Sequence, residues 1–173
     1  MTAAAARGLL WRPMTATDLA AVAEISRLVH PAYPEEDAVF LERLTLHPQG
    51  CRVLVAEDGT PQGYVLSHPW EGPPPKLNTL LGAIPATSHR YYIHDLTILP
   101  RWRGSGAASA VVPQLLDAAR RNGFTTAALV AVNGSDGFWA RHGFQIADDP
   151  ALAAVLRSYG AGVHYMTCDL TAR

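Results

Sequence analysis

Leu19, Val22, Ile25, Leu28 and Val29 recur at the spacing of one helix face and predict an amphipathic helix over 18–29. Thr15 or Thr17 can cap it, and Asp18 puts negative charge at its N-terminus. His30-Pro31-Ala32-Tyr33-Pro34 ends it, because a proline pushes the residue before it out of helical geometry. A second helix is predicted over 35–46, with acids in its first turn. Residues 9–14 read as a strand. Residues 51–57 and 62–68 read as a hairpin around Asp58-Gly59. From 69 to 90 the pattern lapses and Gly72-Pro73-Pro74-Pro75 intervenes, and a loop this long within one domain is functional or disordered. A strand over 91–99 leads to a helix over 104–121, stopped by Asn122-Gly123 and expected to kink at Pro113. The near-continuous apolar run 125–132 predicts a buried central strand. A short helix (135–142), a strand (144–147), a helix (150–158) and a last strand (163–170) complete the chain. Helices and strands mix without repeat or linker. The expectation is an α/β (α+β) domain over 9–173, built on a single central sheet, after a flexible stretch 1–8.

A chain of 173 residues carries one core of useful size. Its net charge of −1, without basic blocks, gives no electrostatic footprint for nucleic acid or an anionic membrane. The two cysteines, Cys51 and Cys168, form no CxxC pair, which argues against a disulfide framework or a thiolate zinc site. His30, His47, His89, His142 and His164 are scattered without metal-ligand spacing, so no metal is expected. No segment approaches the roughly 18 apolar residues of a membrane span. The first residues make a poor signal peptide, and the default expectation is a cytoplasmic protein.

One segment carries chemistry. Leu96-Thr97-Ile98-Leu99-Pro100-Arg101-Trp102-Arg103-Gly104-Ser105-Gly106-Ala107-Ala108-Ser109 runs from strand through a glycine turn into a helix. The first amides of a helix lack partners within it and sit at the positive end of its dipole. Gly104 and Gly106 admit close approach and Arg103 adds a cation, a combination suited to a pyrophosphate. The segment is not a Walker loop, since no Gly-Lys-Ser/Thr follows. It is a poor dinucleotide fingerprint, since residue 109 is Ser and no acid lies about 20 residues on.

This segment resembles motif A of the GCN5-related N-acetyltransferases. Asn133 and Phe138-Trp139-x-x-x-Gly143-Phe144 resemble the next signature of that family. The resemblance covers roughly residues 9–170 and implies a mixed, mostly antiparallel sheet flanked by helices. It also implies acetyl transfer from acetyl-CoA to a primary amine. Backbone groups of Leu96, Thr97 and Ile98 would pair with the pantetheine arm as an added strand does. Arg103 and the amides of Gly104, Ser105, Gly106, Ala107, Ala108 and Ser109 would take the diphosphate. Asn133 would hydrogen-bond the cosubstrate, and Phe138 and Trp139 would line its thiol end.

Amine attack needs a base near neutral pH, and histidine suits that best. His94, beside Asp95, occupies the position where the resemblance places a catalytic or acceptor-binding pair. His94 is the expected base, directly or through a water, and Asp95 anchors a loop or binds the ammonium. Neighbours on a regular strand point to opposite faces, so the two are not expected to share one. Backbone N–H groups near Ile98 would hold the oxyanion. Trp139 stands where many relatives carry tyrosine, and indole is no usable acid. Ser135, Tyr159, Tyr165 or water would then protonate the thiolate. Tyr33, Trp70 and Tyr92 are expected to wall the acceptor, a small amine with an apolar or aromatic body. The alternatives are a protein N-terminus or lysine as acceptor, or a non-catalytic acyl-CoA-binding sensor. A homodimer stays open.

Overall fold

The structure, a computed structural model, describes residues 8–172. The expected flexible stretch 1–8 lies outside them except for Gly8. Seven strands form one sheet: β1 (Leu9–Pro13), β2 (Cys51–Ala56), β3 (Pro61–Pro69), β4 (Arg90–Ile98), β5 (Thr126–Ala131), β6 (Gln145–Ile146) and β7 (His164–Asp169). Their order across the sheet is β1-β2-β3-β4-β5-β7-β6. Every neighbouring pair is antiparallel except β4 with β5. The parallel pair needs a crossover, supplied by α3 (Ala107–Arg121). The other helices are α1 (Leu19–Val29), α2 (Asp37–Leu46), α4 (Asp136–Ala140) and α5 (Ala153–Arg157).

Two layers cover the sheet. On one face α3 buries Val111, Val112, Leu115 and Leu116 against Val65, Tyr91, Ile93 and Leu129, with Trp139 of α4 alongside. On the other face α1 and α2 set Val22, Ile25 and Phe40 on Tyr64 and Leu66. Further along, Leu152 and Leu156 at α5 cover Tyr92, Ala128 and Tyr165. Pro113 lies on the solvent side of α3, and the helix runs through it unbroken.

Three departures from the sequence reading bear on the site. The register between β3 and β4 slips by one residue. Leu66 lies opposite Asp95 and Ser67 opposite Ile93, so His94 is an extra residue bulged from β4. Ile93 and Leu96 pack on the α3 side. The Asp95 carboxylate meets Tyr64 of the opposite layer, where His94 also meets the loop between α1 and α2. The bulge thus turns both side chains to one face, contrary to the strict alternation expected. Second, α2 begins at Asp37 rather than Glu35, because the Glu36 N–H donates to Asn78 Oδ1 at 2.8 Å and Glu36 stays extended. Third, α3 begins at Ala107 rather than Gly104, because Gly104 and Gly106 adopt left-handed conformations, φ 76° and 86°.

The stretch 70–89 is neither helix nor strand, yet it is pinned throughout. Glu42 accepts from the N–H groups of Leu81 and Gly82 at 2.6 and 2.9 Å. Arg43, 1 % exposed, donates to the Thr79 carbonyl at 3.1 Å. The Tyr159 hydroxyl donates to the Pro75 carbonyl at 2.9 Å, and Pro74 and Pro75 are buried. The stretch is a strap that runs from the turn after α5, where Pro75 is held, to α2, where Thr79, Leu81 and Gly82 are held. No helix among the described residues is long and apolar enough to cross a membrane.

Candidate active site

The parallel strands β4 and β5 pair only at Arg90–Tyr92 with Thr126–Ala128. Beyond that point β4 follows β3 and β5 follows β7, so the two part. A cavity of about 700 Å³ fills the fork. Residues 93–98 line one side, and Leu129, Val130, Val132 and Asn133 line the other. Among the described residues no strand pairs with the fork-side edge of β4 beyond Tyr92. The backbone of Leu96, Thr97 and Ile98 therefore presents an open edge where an extended chain can add.

At one end of the fork lies the glycine turn. Within it the N–H groups of Arg103 and Ser105 are taken by the carbonyls of Pro100 and Trp102, and that of Ala107 by Ser105 Oγ. Among the described residues nothing accepts from the N–H groups of Gly104, Gly106, Ala108 and Ser109. A Cβ at Gly104 or Gly106 would meet nothing within 4 Å. Four open amides thus border empty space at the start of α3, with Arg103 and Ala108 in the cavity wall. That is a cradle for a doubly charged anion.

Gln62 holds this turn from behind. Its side chain is buried, and its Oε1 accepts from Arg101 Nε at 3.0 Å, from Trp102 Nε1 at 2.7 Å and from Arg101 Nη2. Gln62→Leu removes the acceptor from all three; water can replace it at the exposed Arg101, whereas the half-buried Trp102 N–H is left unmet at about 1–3 kcal/mol. The expected result is a KM for a diphosphate-bearing cosubstrate raised roughly tenfold with kcat nearly unchanged. An unaltered KM in steady-state assays would refute this role.

At the other end two histidine–carboxylate pairs face the cavity. His94 donates through Nε2 to Glu35 Oε1 at 2.8 Å, with side chains 2 % and 6 % exposed. His94 Nδ1 is buried and has no partner among the described residues. Burial pushes the Glu35 carboxyl up, but the charge and hydrogen bond of His94 outweigh it and hold Glu35 below its ordinary value. His68, with its ring 6.4 Å from that of His94, is driven down to about 3 by burial and stays neutral.

The second pair is a chain of bonds. Asn133 Nδ2 donates to His30 Nδ1 at 3.1 Å, and His30 Nε2 to Thr97 Oγ1 at 2.7 Å. The Thr97 hydroxyl donates to Asp95 Oδ1 at 2.7 Å, and the Tyr64 hydroxyl to Asp95 Oδ2. His30 Nε2 also lies 3.5 Å from Asp95 Oδ1. Burial raises Asp95, yet hydrogen bonding and charge from His30, with the Tyr64 hydroxyl, bring it below its ordinary value. Burial lowers His30, but the bond and charge of Asp95 carry it above its ordinary value against the repulsion of Arg103.

The fork brings together His94, Asp95, Leu96, Thr97, Ile98, Arg103, Ala108, Asn133, Phe138, Trp139 and Tyr33. Two expected acceptor residues lie elsewhere. Tyr92 is 1 % exposed, in the core beside His68 and His94. Trp70 packs against that core patch and donates to the Pro73 carbonyl, outside the cavity. Of the substitutes for a tyrosine acid, Ser135 and Tyr159 line the cavity, whereas Tyr165 borders a separate hollow beside Arg90. The sequence reading missed Glu35 and His30. Their only local signal was position, polar residues on the proline-rich turn that breaks the first helix.

Comparison with known proteins agrees with this geometry. The family described as the acetyltransferase (GNAT) family matches residues 16–144, well over half of the chain. No curated protein sequence matches the chain. Among solved structures, the GphF GNAT-like decarboxylase in complex with isobutyryl-CoA superposes with a TM-score of 0.79 at 20 % identity, over 93 % of this chain and 99 % of that one. A GCN5-related N-acetyltransferase from Kribbella flavida gives 0.68 at 21 %, over 95 % and 99 %. The ribosomal-protein-S18-alanine N-acetyltransferase of Escherichia coli gives 0.63 at 16 %, over 95 % and 96 %. At these identities the likeness is one of fold. An open strand edge and a cradle of unpartnered amides are what a CoA thioester requires, and with the family match they show that the chain belongs to the acetyltransferase (GNAT) family and is an acyltransferase that takes acetyl-CoA as its cosubstrate.

Proposed function

We propose that this enzyme acetylates the primary amine of a small molecule with an apolar or aromatic body. The observation that carries the reading is the apolar lining of the acceptor end. Val29, Tyr33, Leu77 and Tyr159 supply apolar wall around the Glu35–His94 pair. Leu77 belongs to the strap, which Glu42, Arg43 and Tyr159 tie down. Asn78 adds a backbone N–H to Glu35 at 3.3 Å.

Acetyl-CoA supplies an activated acyl group. Leu96, Thr97 and Ile98 would hold its arm, and Arg103 with the amides of Gly104, Gly106, Ala108 and Ser109 would hold its diphosphate. The protein's own task is to strip the amine of its proton and to exclude water. Glu35 fixes the His94 ring through Nε2 and leaves the buried Nδ1 as the ring's unpaired acceptor. A buried polar atom without a partner calls for an explanation, and a role in the chemistry is one that its place in the cavity wall supports. His94 takes the amine proton directly or through one water, and Glu35 stabilises the imidazolium that results.

Thiol release from acetyl-CoA, measured across arylalkylamines, alkylamines, polyamines, free amino acids and short peptides, tests the reading. Small amines with apolar bodies should exceed the peptides in kcat/KM by at least about tenfold, the gain from burying one or two further methylene-sized groups. Peptides turned over faster than every small amine would overturn it in favour of a protein N-terminus or lysine.

A further inference from the structure

The amine loses a proton in this reaction and the departing sulfur gains one. Trp139 cannot give it. Tyr159 commits its hydroxyl to the Pro75 carbonyl, and Tyr165 lies outside the cavity. His30 is differently placed. It stands at the C-terminal end of α1 and roofs the fork, touching β4 through Thr97 and the end of β5 through Asn133. Thr97 lies between His94 and the glycine turn along the chain. A thioester whose diphosphate sits at that turn, and whose carbonyl meets an amine at His94, therefore leaves its sulfur on the Thr97 side.

We propose that His30 is the general acid, delivering its Nδ1 proton to the leaving thiolate, so that the two histidine–carboxylate pairs divide the proton work of the reaction. This rests on the amine-acetylating reading above. The C–N bond forms as the C–S bond breaks. The nitrogen's proton passes to His94, and His30 supplies one to sulfur. Solvent exchange resets both rings, leaving amide and thiol as products.

The surroundings of His30 suit the role. Asp95 on β4, bonded in turn by Tyr64 of β3, faces its Nε2 side. Glu35 from the loop adds attraction and Arg103 adds repulsion. Tyr33 offers only a ring edge, with centroids 6.1 Å apart. The balance favours the charged imidazole. Asn133 suits either state of the ring, since its amide can present nitrogen to neutral Nδ1 or, turned over, oxygen to the protonated form. Asn133 is exposed. A cosubstrate that takes the Asn133 amide leaves Nδ1 facing the fork.

Two measurements test this. Ring NMR titration of the cosubstrate-free protein should show His30 titrating above the ordinary 6.5 and falling in Asp95→Asn. In the kcat–pH profile, His30→Gln should lower the plateau by about 100-fold and abolish the alkaline limb, while Asp95→Asn moves that limb to lower pH. Tyr33→Phe should keep it. An alkaline limb unchanged in His30→Gln, or lost in Tyr33→Phe, overturns the proposal. Should the wild type turn over no amine at all, the amine-acetylating reading fails instead. The ring titration then still decides, and a His30 titrating at or below 6.5 removes it as the acid.

Discussion

His94→Gln lowers kcat for amine acetylation by about 10²- to 10⁴-fold near neutral pH, the usual worth of a positioned general base. Glutamine can still donate an N–H to Glu35, so the loop between α1 and α2 keeps its anchor while the proton acceptor is gone. The KM for acetyl-CoA should stay within about threefold, because loss of an interaction made only in the transition state falls on kcat. Equal rates for wild type and variant at pH 7 would remove His94 from the mechanism. Tight CoA binding by the variant, measured directly, separates lost chemistry from lost folding.

Asp95→Ala is the change with the largest expected cost to stability. It strips partners from the Tyr64 and Thr97 hydroxyls and the counter-charge from His30 at once. Breaking a buried pair from one side costs about 3–5 kcal/mol, which for a chain of this size lowers Tm by on the order of 10 °C. The cost should depend on pH in a definite way. The Asp95 carboxyl is depressed in the fold, so its contribution is present above the ordinary carboxylate range and is lost as pH falls through the folded value. His30 is raised, so its contribution is complete below 6.5 and is lost as pH rises through the folded value. The gap between wild type and variant in chemical denaturation should therefore be widest between about pH 4 and 6.5. A gap under about 1 kcal/mol throughout would mean that the network is solvated rather than buried.

Much of the architecture was legible because it rests on short-range signals. The 3.6-residue pattern of Leu19–Val29 and the apolar run ending at Ala131 depend on local periodicity alone, and both elements form. The turn from Pro100 to Gly106 was legible for the same reason, since glycine and proline fix backbone geometry wherever they stand. The pairing of chemical groups was not legible. Glu35 reaches His94 across 59 residues, and His30 reaches Thr97 across 67. No local pattern encodes contacts of that range. Trp70 misled because an aromatic at the end of a strand looks the same whether it lines a cavity or closes a core patch. The sharing of one face by His94 and Asp95 was hidden by a single extra residue, to which a period-two reading is blind.

That extra residue also makes the site sensitive to chain length as much as to residue identity. Deleting one position near 94 would restore an even β3–β4 ladder and carry one of the two neighbouring side chains through the sheet, into the apolar layer beneath α3. Libraries that vary residue type along β4 can keep the chemistry, whereas a one-codon loss there would dismantle it even with every histidine and carboxylate still encoded.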